Sequence, residues 1–182
     1  MIPEIKKILY ATDLTKNSAY AFYFAADLAR KHDATIVILH CMGWIPPEIY
    51  YEGGFVDLDK VMQKAKQQEA REDVAEIERR LQEFSRKVVS TIGSPDVDFV
   101  SKIIVKPAYP VEEILNIADA EECDVIVLGT HGKGWLKQTF VGSTARSVLE
   151  RTRKPMFIIP LPPEKTDLDW DAADPDLSEK LA

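Results

Sequence analysis

Half of this chain's eight glycines stand in one stretch, Gly129-Thr130-His131-Gly132-Lys133-Gly134-Trp135 followed by Gly142-Ser143-Thr144. Glycine lets a backbone turn tightly and approach a ligand closely. Backbone N–H groups at a helix start, helped by the helix dipole, favour an anion. Ser143 and Thr144 add hydroxyl donors at the same place, and Lys133 adds a positive charge. These residue types in this order suit a phosphate chain. Two familiar phosphate signatures do not fit. The residue after Gly134 is Trp135 where a Walker A loop needs lysine, and a dinucleotide fingerprint needs glycine at the position of Lys137. A single glycine here reads as a strand cap in a tight turn, whereas the cluster with Ser143-Thr144 reads as a ligand loop.

Other reactive residues are sparser. Asp13 follows an apolar run and reads either as a cap-like residue or as a ligand contact; Thr15 and Asn17 can also cap, which favours the ligand role. His131 lies inside the glycine loop with no partner acid to make it a base. His40, at the end of an apolar run, reads as a satisfied core histidine, and His32 as a complement to a helix C-terminus. Cys41 and Cys123 form no CxxC and no Cys/His cluster, so neither a disulfide framework nor a zinc site is expected. Trp44, Tyr50-Tyr51 and Trp135 either lid a ligand or simply pack. The charges from Lys60 to Arg80 read as a solvated helix face. No Ser/His/Asp set and no Walker B-like acid can be read, which favours binding over turnover.

The elements that must position these residues alternate regularly. Ile5–Ala11, Ala34–Cys41, Val97–Val105 (interrupted at Ser101-Lys102), Asp124–Leu128 and Pro155–Pro160 are short apolar runs that read as strands. Runs without polar alternation fit strands covered on both faces, as in a parallel sheet. Between them, helices are expected over Thr15–Lys31, Asp57–Ser90, Pro110–Ala120 and Thr139–Arg151. The long second helix places Val74, Ile77, Leu81, Phe84 and Val88 at 3-4 spacing, for packing on the sheet or, alternatively, for self-association. Gly43 to Phe55 is turn-rich. The β-α-β-α-β-α-β-α-β order argues an α/β fold with an open, doubly wound parallel sheet. Ligands in such sheets sit outside the carboxyl ends of the strands, at the switch in strand order. That directs attention to Ala11-Thr12-Asp13, Cys41-Met42 and the residues from Gly129 onward.

Composition bounds the rest. The 182 residues, 46% apolar and 29% charged, fit one globular domain, residues 1–160, followed by an acidic C-terminal tail, residues 161–182. The net charge is −7; seven acids against two bases in the tail leave −5 there and −2 for the body. A chain of this balance lacks the basic footprint of a nucleic-acid binder. Met1-Ile2-Pro3-Glu4 lacks a signal-peptide layout and no run suits a membrane helix, so a cytoplasmic location without membrane partners is expected.

At this point the residues carry a resemblance. Gly129-x2-Gly132-x9-Gly142-Ser143 is similar to the G-x2-G-x9-G-[ST] nucleotide-binding motif of the universal stress protein family. Ala11-Thr12-Asp13-Leu14-Thr15 resembles that family's first strand end and acidic loop, and Ile36–Cys41 its second strand. Pro110-Val111-Glu112-Glu113-Ile114 and Lys154–Pro160 resemble later segments. The resemblance implies a Rossmann-like, five-stranded parallel sheet in the order 3-2-1-4-5, helices on both faces, and a homodimer paired through Met156–Ile159. It implies ATP or AMP as ligand, with Mg2+ or Mn2+ carried by the phosphates rather than by protein ligands. By position, Asp13, with Ala11 and Thr12 before it, would meet the adenosine. The Cys41 backbone would meet the adenine edge. Gly129 and Gly132 would line the ribose-phosphate passage, with Thr130, His131 and Lys133 as further nucleotide-binding candidates in the same loop, and Gly142, Ser143 and Thr144 would hold the phosphates. Ala108 stands where many members have glycine.

The expected function is that of a nucleotide-responsive stress or signalling protein without efficient catalysis. Two alternatives stand beside it: a slow ATPase or phosphotransferase using Lys133 and His131, and a dimeric scaffold with an unoccupied pocket that meets a protein partner through the long helix or the tail.

Overall fold

The computed structural model describes residues 4–42, 58–92, 99–130 and 141–160, with only the backbone described for residue 16 and residues 58–72. Within them run β1 (Lys7–Thr12), α1 (Lys16–His32), β2 (Thr35–Met42), α2 (Leu58–Thr91), β3 (Val100–Pro107), α3 (Pro110–Ala120), β4 (Val125–Gly129), α4 (Ser143–Arg151) and β5 (Met156–Ile159). All strand pairs are parallel and the order is β3-β2-β1-β4-β5, as expected. The expectations for Gly43–Phe55, including Trp44 and Tyr50-Tyr51, for Trp135, and for the acidic stretch from 161 to 182 lie outside the described residues.

The apolar runs lack polar alternation because both faces of the sheet are covered. Ile8, Tyr10, Ile36, Ile38, Val125 and Val127 point to one side, where Phe22, Ala26 and Ala29 of α1 and Leu81, Phe84 and Val88 of α2 pack on them. Leu9, Ala11, Val37, Leu39, Ile126 and Leu128 point to the other, against Ile114 and Ala118 of α3 and Ala145 and Val148 of α4. The 3-4 spacing of α2 therefore belongs to sheet packing. Phe22 links the layers, its ring centroid 5.0 Å from Tyr10 and 5.5 Å from Phe84. Each such fully buried side chain contributes about 1.5–3 kcal/mol through removal from water.

Element ends are fixed by identifiable bonds. Thr15 is the N-cap of α1, its hydroxyl accepting from the Ser18 N–H, whereas Asn17 is buried inside the first turn. Asp33 ends α1 in the left-handed region at φ 52°, and its N–H returns to the Ala29 carbonyl. Asp124 Oδ2 accepts from the Lys6 and Lys7 N–H groups at 2.8 and 2.9 Å, joining the start of β4 to that of β1.

Two expectations require correction. The interruption at Ser101-Lys102 does not break the third strand. Val100 pairs with Ile36 and Lys102 with Val37, so Ser101 is an extra residue in a bulge. The fourth helix does not reach back to Val141. Gly142 is extended (φ −53°, ψ 153°) and serves as N-cap, so α4 begins at Ser143. The cause is tertiary: the Gly142 N–H donates to the Thr130 carbonyl at 2.5 Å, which holds that residue out of the helix.

Candidate functional site

In this strand order β1 stands between β2 and β4, and the helices that follow β1 and β4 lie over opposite faces of the sheet, α1 over one and α4 over the other. The carboxyl ends of β1 and β4 consequently open a crevice that neither helix fills. A cleft of about 760 Å³ lies there.

Its floor is the turn from β1 into α1. Leu14 has φ 60°, a conformation that costs a residue with a branched side chain and persists only when neighbours impose it. The imposing bonds are clear. Thr12 Oγ1 accepts from the Leu14 N–H at 3.0 Å and donates to Ser18 Oγ at 3.0 Å, and Ser18 Oγ donates to the Thr15 carbonyl at 2.8 Å. Asp13 Oδ1 accepts from both the Thr15 N–H, at 3.0 Å, and the Thr15 hydroxyl, at 2.6 Å. The turn thus fixes the Asp13 carboxylate at the cleft by bonds to one of its two oxygens.

The β2 wall carries Leu39, His40, Cys41 and Met42. His40 is buried, and its Nδ1 lies 2.9 Å from the Thr12 carbonyl. A carbonyl only accepts, so Nδ1 bears the proton and the ring is the satisfied core histidine its position suggests. Burial, reinforced by Glu113 and opposed by Lys106, pushes the Cys41 thiol up to about 11, so it is protonated at neutral pH. Burial does the same to Cys123, also to about 11.

At the far end α4 points its N-terminus into the cleft, and Gly142, Ser143, Thr144 and Ala145 line it. The first N–H groups of any α-helix lack intrahelical acceptors. In α4 the N-cap is a glycine with no side-chain cap bond, and the first turn carries no acid. The contrast with α1, capped by Thr15, and α3, with Glu112 and Glu113 in its first turn, is direct. An incoming anion would supply what α4 lacks.

Gly129 is at the cleft for a second reason. A Cβ there would lie 2.8 Å from Asn17 Nδ2 and 3.1 Å from Asn17 Cγ, so glycine is what lets α1 pack against the end of β4. Thr130 is buried, and its N–H donates to the Ile159 carbonyl at 2.9 Å.

Of the residues singled out from sequence, Ala11, Thr12, Asp13, Cys41, Gly129, Thr130, Gly142, Ser143 and Thr144 converge on this one cleft. His131, Gly132 and Lys133 lie outside the described residues. Met42, a strand-end position already singled out, lines the cleft too, whereas sequence reasoning passed over Leu39 and Leu128, one or two residues before such ends, and Pro110 and Ile114, which open α3. It also passed over Ile77, whose place in a regular 3-4 pattern reads as sheet packing or self-association rather than as a cleft wall.

Comparison with known proteins agrees with this architecture. The universal stress protein family model matches residues 4–160. Universal stress protein MJ0577 of Methanocaldococcus jannaschii is 30% identical over 156 residues, which cover 85% of this chain and 94% of that protein. A solved structure of MJ0577 superposes with a TM-score of 0.63 at 22% identity, covering 89% of this chain and all of that one. Two further structures share the fold and were solved with nucleotides. One is a universal stress protein in complex with cAMP (TM-score 0.52, 15% identity, 86% of this chain and 98% of that one). The other is the Archaeoglobus fulgidus protein in complex with dAMP (TM-score 0.50, 19% identity, 87% and 99%). With the family model matched over residues 4–160 and a relative 30% identical over most of both chains, this chain belongs to the universal stress protein family.

Proposed function

We propose that the cleft binds an adenine nucleotide, ATP or AMP, and that occupancy rather than turnover is its function, as in a nucleotide-responsive stress or signalling protein. The observation that carries this reading is the α4 N-terminus, uncapped by any side chain and free of first-turn acid, opening on the cleft that Asp13 borders. A phosphate chain there meets the N–H groups of Ser143, Thr144 and Ala145, their hydroxyls where present, and the positive end of the helix dipole. Asp13, whose hydrogen bonds engage Oδ1, offers Oδ2 to a ribose hydroxyl. The Cys41 end of the cleft then receives the base. A divalent Mg2+ or Mn2+ ion would be carried by the phosphates. The relatives solved with cAMP and dAMP support an adenine nucleotide as the ligand class.

The side chains favour binding over chemistry. Asp13 is the one carboxylate among the described lining residues, and the turn already uses it. His40 is committed to Thr12 through Nδ1, and the Cys41 thiol keeps its proton. The protein is further proposed to act in the cytoplasm as a homodimer through Met156–Ile159. No helix among the described residues is long and apolar enough to cross a membrane.

Mass analysis of small molecules released from purified, denatured protein tests the reading, together with calorimetric titration of ATP and AMP. Gly132→Val combined with Gly142→Val should abolish binding and leave the circular-dichroism spectrum intact. Unchanged affinity in that double variant would sink the assignment.

A further inference from the structure

The cleft is two-sided, and the nucleotide of the preceding section occupies one side only. Leu39, Cys41, Ile114 and Leu128 belong with the cluster under α3 and α4, whereas Leu14, Met42 and Ile77 pack against the cluster under α1 and α2. All seven line the same cleft, so it crosses the carboxyl ends of the strands and opens on both faces of the sheet. Strand alternation explains the division. Tyr10 and Ile38 face α1 and α2, so Thr12, His40 and Met42, each at an even step further along, turn the same way. The proposed phosphates, ribose and base meet α4, Asp13 and the Cys41 end, which leaves the α1/α2 side unassigned. The chemistry of that side is uniform. Leu14, Met42 and Ile77 are half-buried, and Leu14 is kept at φ 60°, where glycine or asparagine would cost less. The Thr12 hydroxyl donates to Ser18 Oγ and the Ser18 hydroxyl to the Thr15 carbonyl, so both hydroxyl protons are committed. His40 Nδ1 is bonded to the Thr12 carbonyl. Asp13, at the strand end between the two sides, is the one charged side chain among the described lining residues.

We propose that the α1/α2 side of the cleft, walled by Leu14, Met42 and Ile77, is a second binding site, for a small, uncharged and mainly apolar molecule, and that it fills without displacing a nucleotide from the α3/α4 side. Water held against these three side chains finds little to hydrogen-bond, so an apolar molecule gains by replacing it. The unbranched Met42 chain adapts its shape to what it meets. Small-molecule pockets hold roughly 300–1,000 Å³. At about 760 Å³ the cleft stands in the upper part of that range, with room on both sides of the strand ends. Such a site stands whether or not the other side takes a nucleotide.

The test uses N-phenyl-1-naphthylamine, an uncharged fluorophore that brightens in apolar surroundings, titrated with the full-length protein with and without saturating ATP. The wild type should bind the probe in both conditions. Ile77→Asp sets a charge in the apolar wall and should weaken the probe by about tenfold or more, with ATP affinity unchanged. Ile77→Trp keeps the wall apolar but fills the space, so it should weaken the probe likewise, and it decides the matter if the aspartate variant does not fold. Displacement of the probe by ATP, or loss of ATP affinity in step with the probe in Ile77→Trp, would show one undivided site and overturn the proposal. A wild type that does not bind the probe overturns it too. So does a probe affinity that neither Ile77 variant changes, since the probe would then sit elsewhere. If ATP does not bind the wild type, the nucleotide reading fails by itself, and the response of the probe to Ile77 still decides this one.

Discussion

Gly129 and Asn17 are packed so closely that a Cβ on the glycine would sit 2.8 Å from the asparagine Nδ2. Asn17 is buried in the first turn of α1, and Gly129 ends β4. The first glycine of the G-x2-G-x9-G-[ST] stretch is thus explained by helix-on-strand packing before any ligand is considered.

Gly129→Ala should therefore destabilise the protein by about 1–3 kcal/mol, the usual scale of overpacking. Asn17→Ala removes the atoms that clash. In a double-mutant cycle by urea denaturation, the double variant should be more stable than the sum of the single effects, because the two residues share one contact. Strict additivity would show that Gly129 is not held by Asn17.

The same pair shows what sequence can and cannot reveal. The strands were legible because a parallel sheet with both faces covered demands unbroken apolar runs, and Ile36 to Leu39 or Val125 to Leu128 can hardly read otherwise. The site region was legible through strand ends, since Asp13, Cys41 and Gly129 follow such runs directly. The start of α4 was not. Local preference lets the helix begin at Thr139, and only the Gly142–Thr130 hydrogen bond, made between segments distant in sequence, sets Gly142 extended. Ile77 was hidden for the opposite reason. Its spacing with Val74 and Leu81 is the pattern of a core position, and periodicity carries no sign that a helix face also borders a cleft.

The uncapped α4 terminus leads to a substitution whose two effects have opposite signs. Ser143 is exposed at the first helical position. Ser143→Glu places a carboxylate against the positive end of the dipole and should stabilise the ligand-free protein by about 0.3–1 kcal/mol at low salt. The same charge occupies the anion position, so ATP affinity should fall by about tenfold or more, with loss of even one charge-assisted contact. Thermal unfolding with and without ATP reads both at once. A variant that loses stability, or that keeps its ATP affinity, contradicts this account of the terminus.

Both thiols should make stability fall at high pH. Folded Cys41 and Cys123 hold their protons until about pH 11, whereas the ordinary value is 9.0. Between those values the unfolded chain has lost protons that the native protein retains, so the native state is favoured less as pH rises. The contribution is fully present below pH 9.0 and declines through about 11. A Cys41→Ala/Cys123→Ala variant lacks this dependence. The stability difference between it and the wild type, from urea titrations at a series of pH values, should be flat near neutrality and shift in the variant's favour only in that alkaline window. Cys41 should likewise resist iodoacetamide at pH 7.5. Fast labelling in the folded protein would refute the raised value.

The last relationship concerns β5, which among the described residues pairs on one side only. β5 ends the strand order, and Phe157 stands 43% exposed on it, beside Phe24 and Leu28 of α1, which share a small pocket with it. An edge strand presents unpaired backbone donors and acceptors, and an aromatic side chain left in water on such an edge favours pairing with another strand. In the proposed homodimer, Met156–Ile159 supplies that pairing from a second copy. Phe157→Lys is an edge-blocking change that leaves the buried Ile159 in place. It should convert the protein to monomer in light scattering, and it should abolish the concentration dependence of Tm that mass action imposes on a dimer. The β4–β5 register, Val127 with Phe157 and Leu128 with Ile158, is internal to one copy, so the fold itself should survive. A dimer that persists in Phe157→Lys at micromolar concentration would place the interface elsewhere on the molecule.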